Sequence, residues 1–338
     1  MSKKIRIGVV GAGGNTRRKH IPYLQAIEGV SIEIVCNRSE KSSQQAADEF
    51  GIPGIAGHWK DVVSDPDLDA VVIGTWPYVH APVSIAALEA GKHVLCEARM
   101  AMNLAEAEAM LEASEAHPHL VAQVVPSPST LQWDRFLYRI LNEGVIGILL
   151  HVDGFATGGA FMDREKPLSW REQREFSGLN CMGLGIAYEA MARWIGHAET
   201  VEANGRIFVT QRKDAEGNLR DIKIPDHLDI VGNLESGASY HLLCSKVTGA
   251  CPTSGEFIFY GSEGTLRFNA DKNSCTLHRP DGSSDSLQPR EEEREAWRVE
   301  AEFIGAICGE EEIRLTPFRE GVRYMAFTQR VMEACGMA

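Results

Sequence analysis

The sequence predicts an α/β domain with a doubly wound parallel sheet, followed by an α+β domain with a large, mostly antiparallel open sheet. Three observations carry that prediction. Through residue 126, short strands that are apolar throughout alternate with helices, the pattern of a parallel sheet covered on both faces. A glycine cluster, Gly11-Ala12-Gly13-Gly14, separates the first strand from the first helix. After residue 127 longer alternating strands follow one another with few helices between them, as in an antiparallel sheet. The 338 residues suffice for about two domains.

Residues 5–10 (Ile-Arg-Ile-Gly-Val-Val) are apolar and β-branched and stop at the glycines, which makes them the first strand. A helix is expected over 20–28, a strand over 31–36, and a helix over 39–50 with Ala46, Ala47 and Phe50 at helical spacing. Residues 69–74 form a short apolar strand and 80–91 a helix closing on Gly91. A strand over 92–97, a helix over 103–116 capped by Asn103, and a strand over 119–126 follow. The second domain opens with a helix over 129–143. Strands are expected at 147–157, 199–212, 226–235, 238–247, 255–260 and 264–269, with one apolar helix over 181–195 among them. Residues 271–286, rich in Asp, Ser, Asn and Gly, read as a loop. A charged helix over 290–308 and a terminal helix over 317–335 complete the chain. The predicted domains are residues 1–126 and 127–316, with the terminal helix packing back on the first.

The formal net charge of −13 argues against a nucleic acid or an anionic membrane surface as partner, since both require basic patches. A ligand phosphate needs only a few local donors and is not excluded. No signal-peptide pattern opens the chain, and no uncharged apolar run reaches the length of a membrane span. The eight cysteines are scattered without a Cys-x-x-Cys pair, and Cys36 and Cys96 sit in apolar runs. Reduced, buried thiols in a cytoplasmic protein are therefore expected. No His, Cys, Asp or Glu cluster has metal-ligand spacing; His151-x-Asp153, on one face of a strand, is a lone pair.

The glycine cluster continues as Gly11-Ala12-Gly13-Gly14-Asn15-Thr16. Between a strand and a helix this is the fingerprint of a dinucleotide-binding, or Rossmann, domain. Gly11 permits the tight turn, Gly13 admits the pyrophosphate, and the helix N-terminus faces it. Gly14 and Asn15 extend the same turn. Thr16 stands where a third Gly or Ala is usual, so helix–sheet packing there must be reshaped. The acidic residue that takes the ribose 2′-hydroxyl in NAD binders is replaced by neutral Asn37, 21 residues past Thr16. Arg38 can pair with a 2′-phosphate and stack on adenine, and Ser39 adds a donor. NADP(H) is therefore favoured, with NAD(H) the alternative.

Further motifs extend the pattern. They are His20-Ile21-Pro22; Thr75 and His80 after Asp69–Gly74, with Trp76 and Pro77 between; and the run Ala87-Leu88-Glu89-Ala90-Gly91-Lys92-His93-Val94-Leu95-Cys96-Glu97. Gly144-Val145-Ile146-Gly147 and Tyr260-Gly261-Ser262-Glu263-Gly264-Thr265-Leu266 add two more in the second domain. On these motifs the chain resembles the Gfo/Idh/MocA oxidoreductase family along nearly its whole length. The resemblance implies nicotinamide-dependent hydride transfer on a carbohydrate-like substrate. It also implies that Thr75, Trp76, His80 and Glu97 line the cofactor site.

The family's catalytic positions are substituted. Its Glu-Lys-Pro motif is Glu97-Ala98-Arg99 here, and the Asp and His of its Asp-x-Gly-x-His helix are Gly183 and Ala187. Oxidising a secondary alcohol requires a group that accepts the hydroxyl proton, so other residues must handle it. The expected replacement is a Tyr188–Arg99 pair, with Tyr188 as acid/base and Arg99 stabilising an alkoxide or holding an anionic group. The alternative for Tyr188 is an aromatic packed in the core. Glu189 is a second candidate, or else an i,i+4 partner of Arg193; Glu97 is a third. His80 is the imidazole expected in the cleft, or else a hydrogen-bonded structural His at a helix start. Trp170-Arg171, in a charged loop over 163–178, suits a polyol or sugar acid. Asn180 lies on the helical face of Ala187 and suits a substrate hydroxyl.

Three functions fit this sequence. The expected one is an NADP(H)-dependent oxidoreductase on a sugar, polyol or derived acid. The others are a nicotinamide-dependent glycoside hydrolase or lyase working by transient oxidation, and a non-catalytic nucleotide or sugar sensor. A homo-oligomer, dimer or tetramer, is also expected, because the large sheet reads as apolar on its outer face, chiefly in 199–212 and 255–269.

Overall fold

The computed structural model describes residues 4–128, 130–294 and 297–338. The chain divides into two compact units, residues 1–126 with 298–325 and residues 127–297 with 326–338. The first residue of the helix expected over 129–143, and residues 295–296 of that expected over 290–308, lie outside the described residues.

In the first unit β1 (Ile5–Val10), β2 (Val30–Cys36), β3 (Gly54–Ile55), β4 (Ala70–Ile73), β5 (His93–Cys96) and β6 (Ala122–Val124) form one sheet in the order β3-β2-β1-β4-β5-β6. Every pairing is parallel. The central strands are buried on both faces, β4 completely, which is why they read as unbroken apolar runs. The connecting helices are α1 (Ile21–Gln25), α2 (Glu40–Phe50), α3 (Trp59–Ser64), α4 (His80–Glu89) and α5 (Leu104–Ala116). Asn103 caps α5 by accepting the Glu106 N–H at 3.0 Å, and Ser39 caps α2. Strand order reverses between β1 and β4, so the loops leaving their carboxyl ends flank a switch point.

In the second unit α6 (Asp134–Asn142), α7 (Arg174–Ser177) and α8 (Leu184–Ile195) accompany ten strands. β7 (Leu149–Ala156), β8 (Glu202–Arg206), β11 (His227–Asn233), β12 (Ser239–Ser245), β13 (Glu256–Gly261), β14 (Thr265–Asn269), β15 (Ser274–His278) and β16 (Ser284–Leu287) form the large sheet. Its order is β16-β15-β14-β13-β7-β12-β11-β8, and β7–β12 is the parallel pair in an otherwise antiparallel array. Leu228, Ile230, Leu242, Phe257, Phe259 and Phe268 fill the inner face. Trp194 of α8 meets Phe257 and Phe268 edge-on at 5.2 and 5.8 Å.

Three sequence expectations are corrected here. Residues 271–286 are not a loop but the edge hairpin β15–β16, in which only Cys275 and Leu277 point inward. Alternating apolar signals are weakest at such an edge, where one face and one side are solvated. The expected strand 199–212 breaks in two. Residues 202–206 join the sheet as β8, and β9 (Gln211–Lys213) pairs instead with β10 (Leu219–Asp221) in a separate ribbon. The outer face of the sheet is not apolar at its centre. Asp153 there accepts from His151 (3.2 Å), His241 (3.3 Å) and the Tyr260 hydroxyl (3.0 Å), and Asp229 accepts from His241 (2.7 Å). Among the described residues no group of three His, Cys, Asp or Glu side chains is arranged to hold a metal. Nor is any helix of the described residues long and apolar enough to cross a membrane.

The last two helices are α9 (Val299–Cys308) and α10 (Phe318–Ala334). Only residues 318–325 of α10 group with the first unit. There the Tyr324 hydroxyl accepts the Met100 N–H, and a side chain on Gly321 would collide with Met100. The remainder of α10 groups with the second unit, where Phe327 stacks on Tyr188.

Candidate functional site

Loops leaving the carboxyl ends of β1, β2, β4 and β5 build a candidate nucleotide site within the first unit. Gly11 has φ +90°, and a Cβ there would meet the Thr75 backbone N at 2.7 Å, so both its conformation and its packing demand glycine. A Cβ on Gly13 would sit 3.1 Å from the Gly74 carbonyl, while Gly14 faces open space. Both residues expose their backbone. Thr16 is accommodated by a reshaped helix start, a π-turn over Thr16–His20. Gly74 completes the adjustment, because a side chain there would collide with the Thr16 hydroxyl and the Gly11 carbonyl. The small residue missing from the helix is thus supplied by the end of β4. An open turn at a switch point, with first-turn N–H groups lacking intrahelical acceptors, fits a pyrophosphate.

Asn37, the neutral residue at the end of β2, is engaged with the glycine turn itself. Its Oδ1 accepts the Ala12 N–H at 2.7 Å and its Nδ2 donates to the Ser42 carbonyl at 2.8 Å, bracing the glycine turn against α2. Arg38 and Ser39 are exposed, and the Arg38 guanidinium lies 5.8 Å over the Trp76 ring. His80 is fully buried, with Nδ1 3.0 Å from the Arg99 carbonyl and Nε2 3.1 Å from the Thr75 carbonyl. Burial lowers its pKa against the raising effect of those carbonyls. It staples the loops after β4 and β5 together, so the structural alternative applies rather than a proton-transfer role. Arg99 is 6% exposed and buried rather than presented at the rim.

Glu97 belongs to a cluster that sequence reasoning did not find. Its Oε1 is 2.5 Å from Asn15 Nδ2 and 3.0 Å from His20 Nε2, and its Oε2 accepts the Ala98 N–H at 3.0 Å. His20 Nδ1 lies 2.6 Å from Glu300 Oε1 on α9. Burial pulls the His20 imidazole down, but Glu300 and Glu97 outweigh it and push it up to about 9. Burial would raise Glu97; the His20 hydrogen bond and charge, then Asn15 and the Ala98 N–H, hold it below the usual carboxylate range. His20 was visible only as part of a motif. Glu300 lies 280 residues away in an acidic helix, with no local signal.

In the second unit Tyr188 is not an available acid/base. It is 1% exposed, stacked on Phe327 at 3.6 Å, and its hydroxyl accepts the Ala198 N–H at 3.0 Å beside His197 Nδ1 at 3.3 Å. The expected Tyr188–Arg99 pair therefore gives way to the core-packing alternative. Glu189 pairs with Arg193 and accepts the Ser127 N–H at 3.0 Å; Arg193 also reaches Asp134 (2.8 Å) and Thr130 (3.1 Å). This buried network holds α8 against α6 and leaves Glu189 an ion-pair partner. Asn180 is fully buried, its amide donating to the Ser177 carbonyl at 2.8 Å, so it anchors the entry to α8 instead of meeting substrate. Trp170 remains half-buried and Arg171 exposed, with the guanidinium 4.4 Å from the indole.

Residues 5–124 match the model of an oxidoreductase family with an NAD-binding Rossmann fold, and residues 135–267 match the C-terminal domain model of the same GFO/IDH/MocA group. A levoglucosan dehydrogenase from Pseudarthrobacter phenanthrenivorans is 26% identical over 71% of this chain and 65% of its own length. The glucose-fructose oxidoreductase domain-containing protein 2 of Xenopus laevis is 29% identical over 77% of this chain and 66% of its own. The chain thus spans just under two thirds of these relatives. Among solved structures, a levoglucosan dehydrogenase in complex with NADH and L-sorbose superposes with a TM-score of 0.84 at 20% identity, covering 98% of this chain and 97% of that one. The WlbA dehydrogenase from Bordetella pertussis, in complex with NADH and UDP-GlcNAcA, gives 0.82 at 18% identity, covering 99% and 96%.

Proposed function

The chain belongs to the Gfo/Idh/MocA oxidoreductase family, and from that premise we propose that it transfers a hydride between NADP(H) and a sugar, polyol or sugar-derived acid. The observation that carries this reading is the open glycine turn at the β1/β4 switch point, rimmed by Arg38 over Trp76 and by Glu97. The nicotinamide supplies the hydride chemistry when bound. The N–H groups of the turn would hold the pyrophosphate, and Arg38 would pair with a 2′-phosphate, since neutral Asn37 stands where an NAD binder carries the carboxylate that takes the 2′-hydroxyl. NADPH is expected to bind about tenfold more tightly than NADH, and Arg38→Ala to erase the difference. Fluorescence titration measures both, and equal affinities in the native protein contradict the NADP(H) preference.

Among the residues predicted to handle the proton, Glu97 alone keeps partial exposure. We assign the substrate hydroxyl proton to the Glu97–His20 pair. With His20 protonated and Glu97 anionic the pair is a weak base; once His20 loses its proton, near pH 9, it accepts one readily. Sugar oxidation should therefore accelerate as pH rises toward about 9. His20→Gln should flatten that limb, and a variant with the native profile rejects the assignment. Trp170 and Arg171 receive the sugar in this reading, an aromatic face beside a guanidinium fork. The levoglucosan dehydrogenase among the sequence relatives supports a carbohydrate substrate. Eight free cysteines, five of them buried, support a cytoplasmic location. Exposed Ile148, Leu150 and Val231 support a homo-oligomer, which light scattering tests.

A further inference from the structure

Between β7 and the turn at Trp170–Glu172 the chain forms no strand or helix. Segments of this kind inside a compact unit are uncommon, and their backbone polar groups still need partners. One side chain gathers three of its carbonyls, while the loop over 246–254 ties its first residues. Arg212 on β9 is 2% exposed. Its Nη2 donates to the Phe161 carbonyl (2.7 Å), its Nη1 to the carbonyls of Asp163 (2.7 Å) and Lys166 (3.2 Å), and its Nε to Glu172 Oε1 (2.5 Å). The other oxygen of Glu172 accepts the Ser169 N–H (3.1 Å) and hydroxyl (2.9 Å), closing the turn that carries Trp170 and Arg171. Leu168 N–H to the Lys213 carbonyl, at 2.7 Å, adds a backbone tie to the same ribbon.

The ribbon itself explains little else. A two-stranded hairpin is marginal alone, and β9 and β10 expose every residue except Arg212. A buried guanidinium is tolerated only when its donors are matched, and here they are matched by loop carbonyls and a carboxylate. Lysine, a single point donor, cannot reproduce that fork.

We propose that Arg212 is the positioning residue of the substrate loop: it fixes the backbone on which Trp170 and Arg171 meet the sugar, without touching the sugar itself. The proposal rests on the reading of Trp170–Arg171 as the sugar-binding pair. The full-length variants Arg212→Lys, Glu172→Gln and Trp170→Ala test it. Each is assayed for KM and kcat on the sugar the native protein oxidises fastest, for NADPH affinity, and for amide exchange across residues 161–172. Arg212→Lys should raise KM about tenfold with kcat within about twofold, leave NADPH affinity unchanged, and speed exchange in that segment alone. Glu172→Gln, the milder change, should move the same quantities less. Native KM and native exchange in Arg212→Lys overturn the proposal while leaving the sugar-binding pair intact if Trp170→Ala raises KM. Native KM in Trp170→Ala overturns the sugar-binding reading, and this proposal with it.

Discussion

Single residues here are committed more fully than their chemistry alone suggests. His20 gains two carboxylate partners on folding, so its folded pKa exceeds its unfolded value of 6.5. The stabilisation is complete below pH 6.5 and is lost as pH rises through about 9; its size is on the order of 3 kcal/mol. Glu97, held below its ordinary range, contributes stability above that range and loses it on acidification. Thermal unfolding between pH 6 and 10 should show Tm falling on the alkaline side, with that fall largely absent in His20→Gln. Tyr188→Phe separates packing from catalysis. It should leave turnover unchanged and cost about 1–3 kcal/mol, because the buried Ala198 N–H loses its acceptor. Lost turnover with native stability would restore Tyr188 as an acid/base. Residue identities alone could not distinguish these cases. Tyr188 and Glu189 carry suitable groups next to Ala187, and His80 keeps its motif position, but only their neighbours Phe327, Arg193 and two backbone carbonyls reveal that those groups are engaged.

Elements with strong local patterning were legible. The strands β1, β4 and β5 announced themselves as apolar runs because both faces are buried, and the Asn103 cap was readable from one residue. Elements defined by distant partners were not. The hairpin β15–β16 hid behind solvated residues, and β9–β10 paired with each other although β9 read as a continuation of β8. The glycine turn shows the same contrast. Its fingerprint was visible, but the compensation for Thr16 came from Gly74, across the sheet. Gly74→Ala should therefore disrupt the turn, lowering nucleotide affinity by at least about tenfold, whereas Gly14→Ala, facing open space, should be tolerated. Equal affinities in the two variants would remove Gly74 from the account of the site.

At the scale of the whole molecule, both family domains are matched while Ala98, Gly183 and Ala187 stand where the resemblance implies proton-handling side chains, and several of the candidate substitutes serve packing. The reading of a working oxidoreductase then depends on an open nucleotide turn and on one partly exposed carboxylate joined to His20. The most direct measurement is absorbance at the reduced-nicotinamide band after mixing the protein with NADP⁺, or separately NAD⁺, and a panel of sugars, polyols and glycosides. The account predicts stoichiometric reduction with at least one sugar, faster with NADP⁺ and faster toward pH 9. Nucleotide that binds but is never reduced would contradict it. Release of an aglycone in the same mixtures would then indicate transient oxidation, and unchanged sugars a sensor.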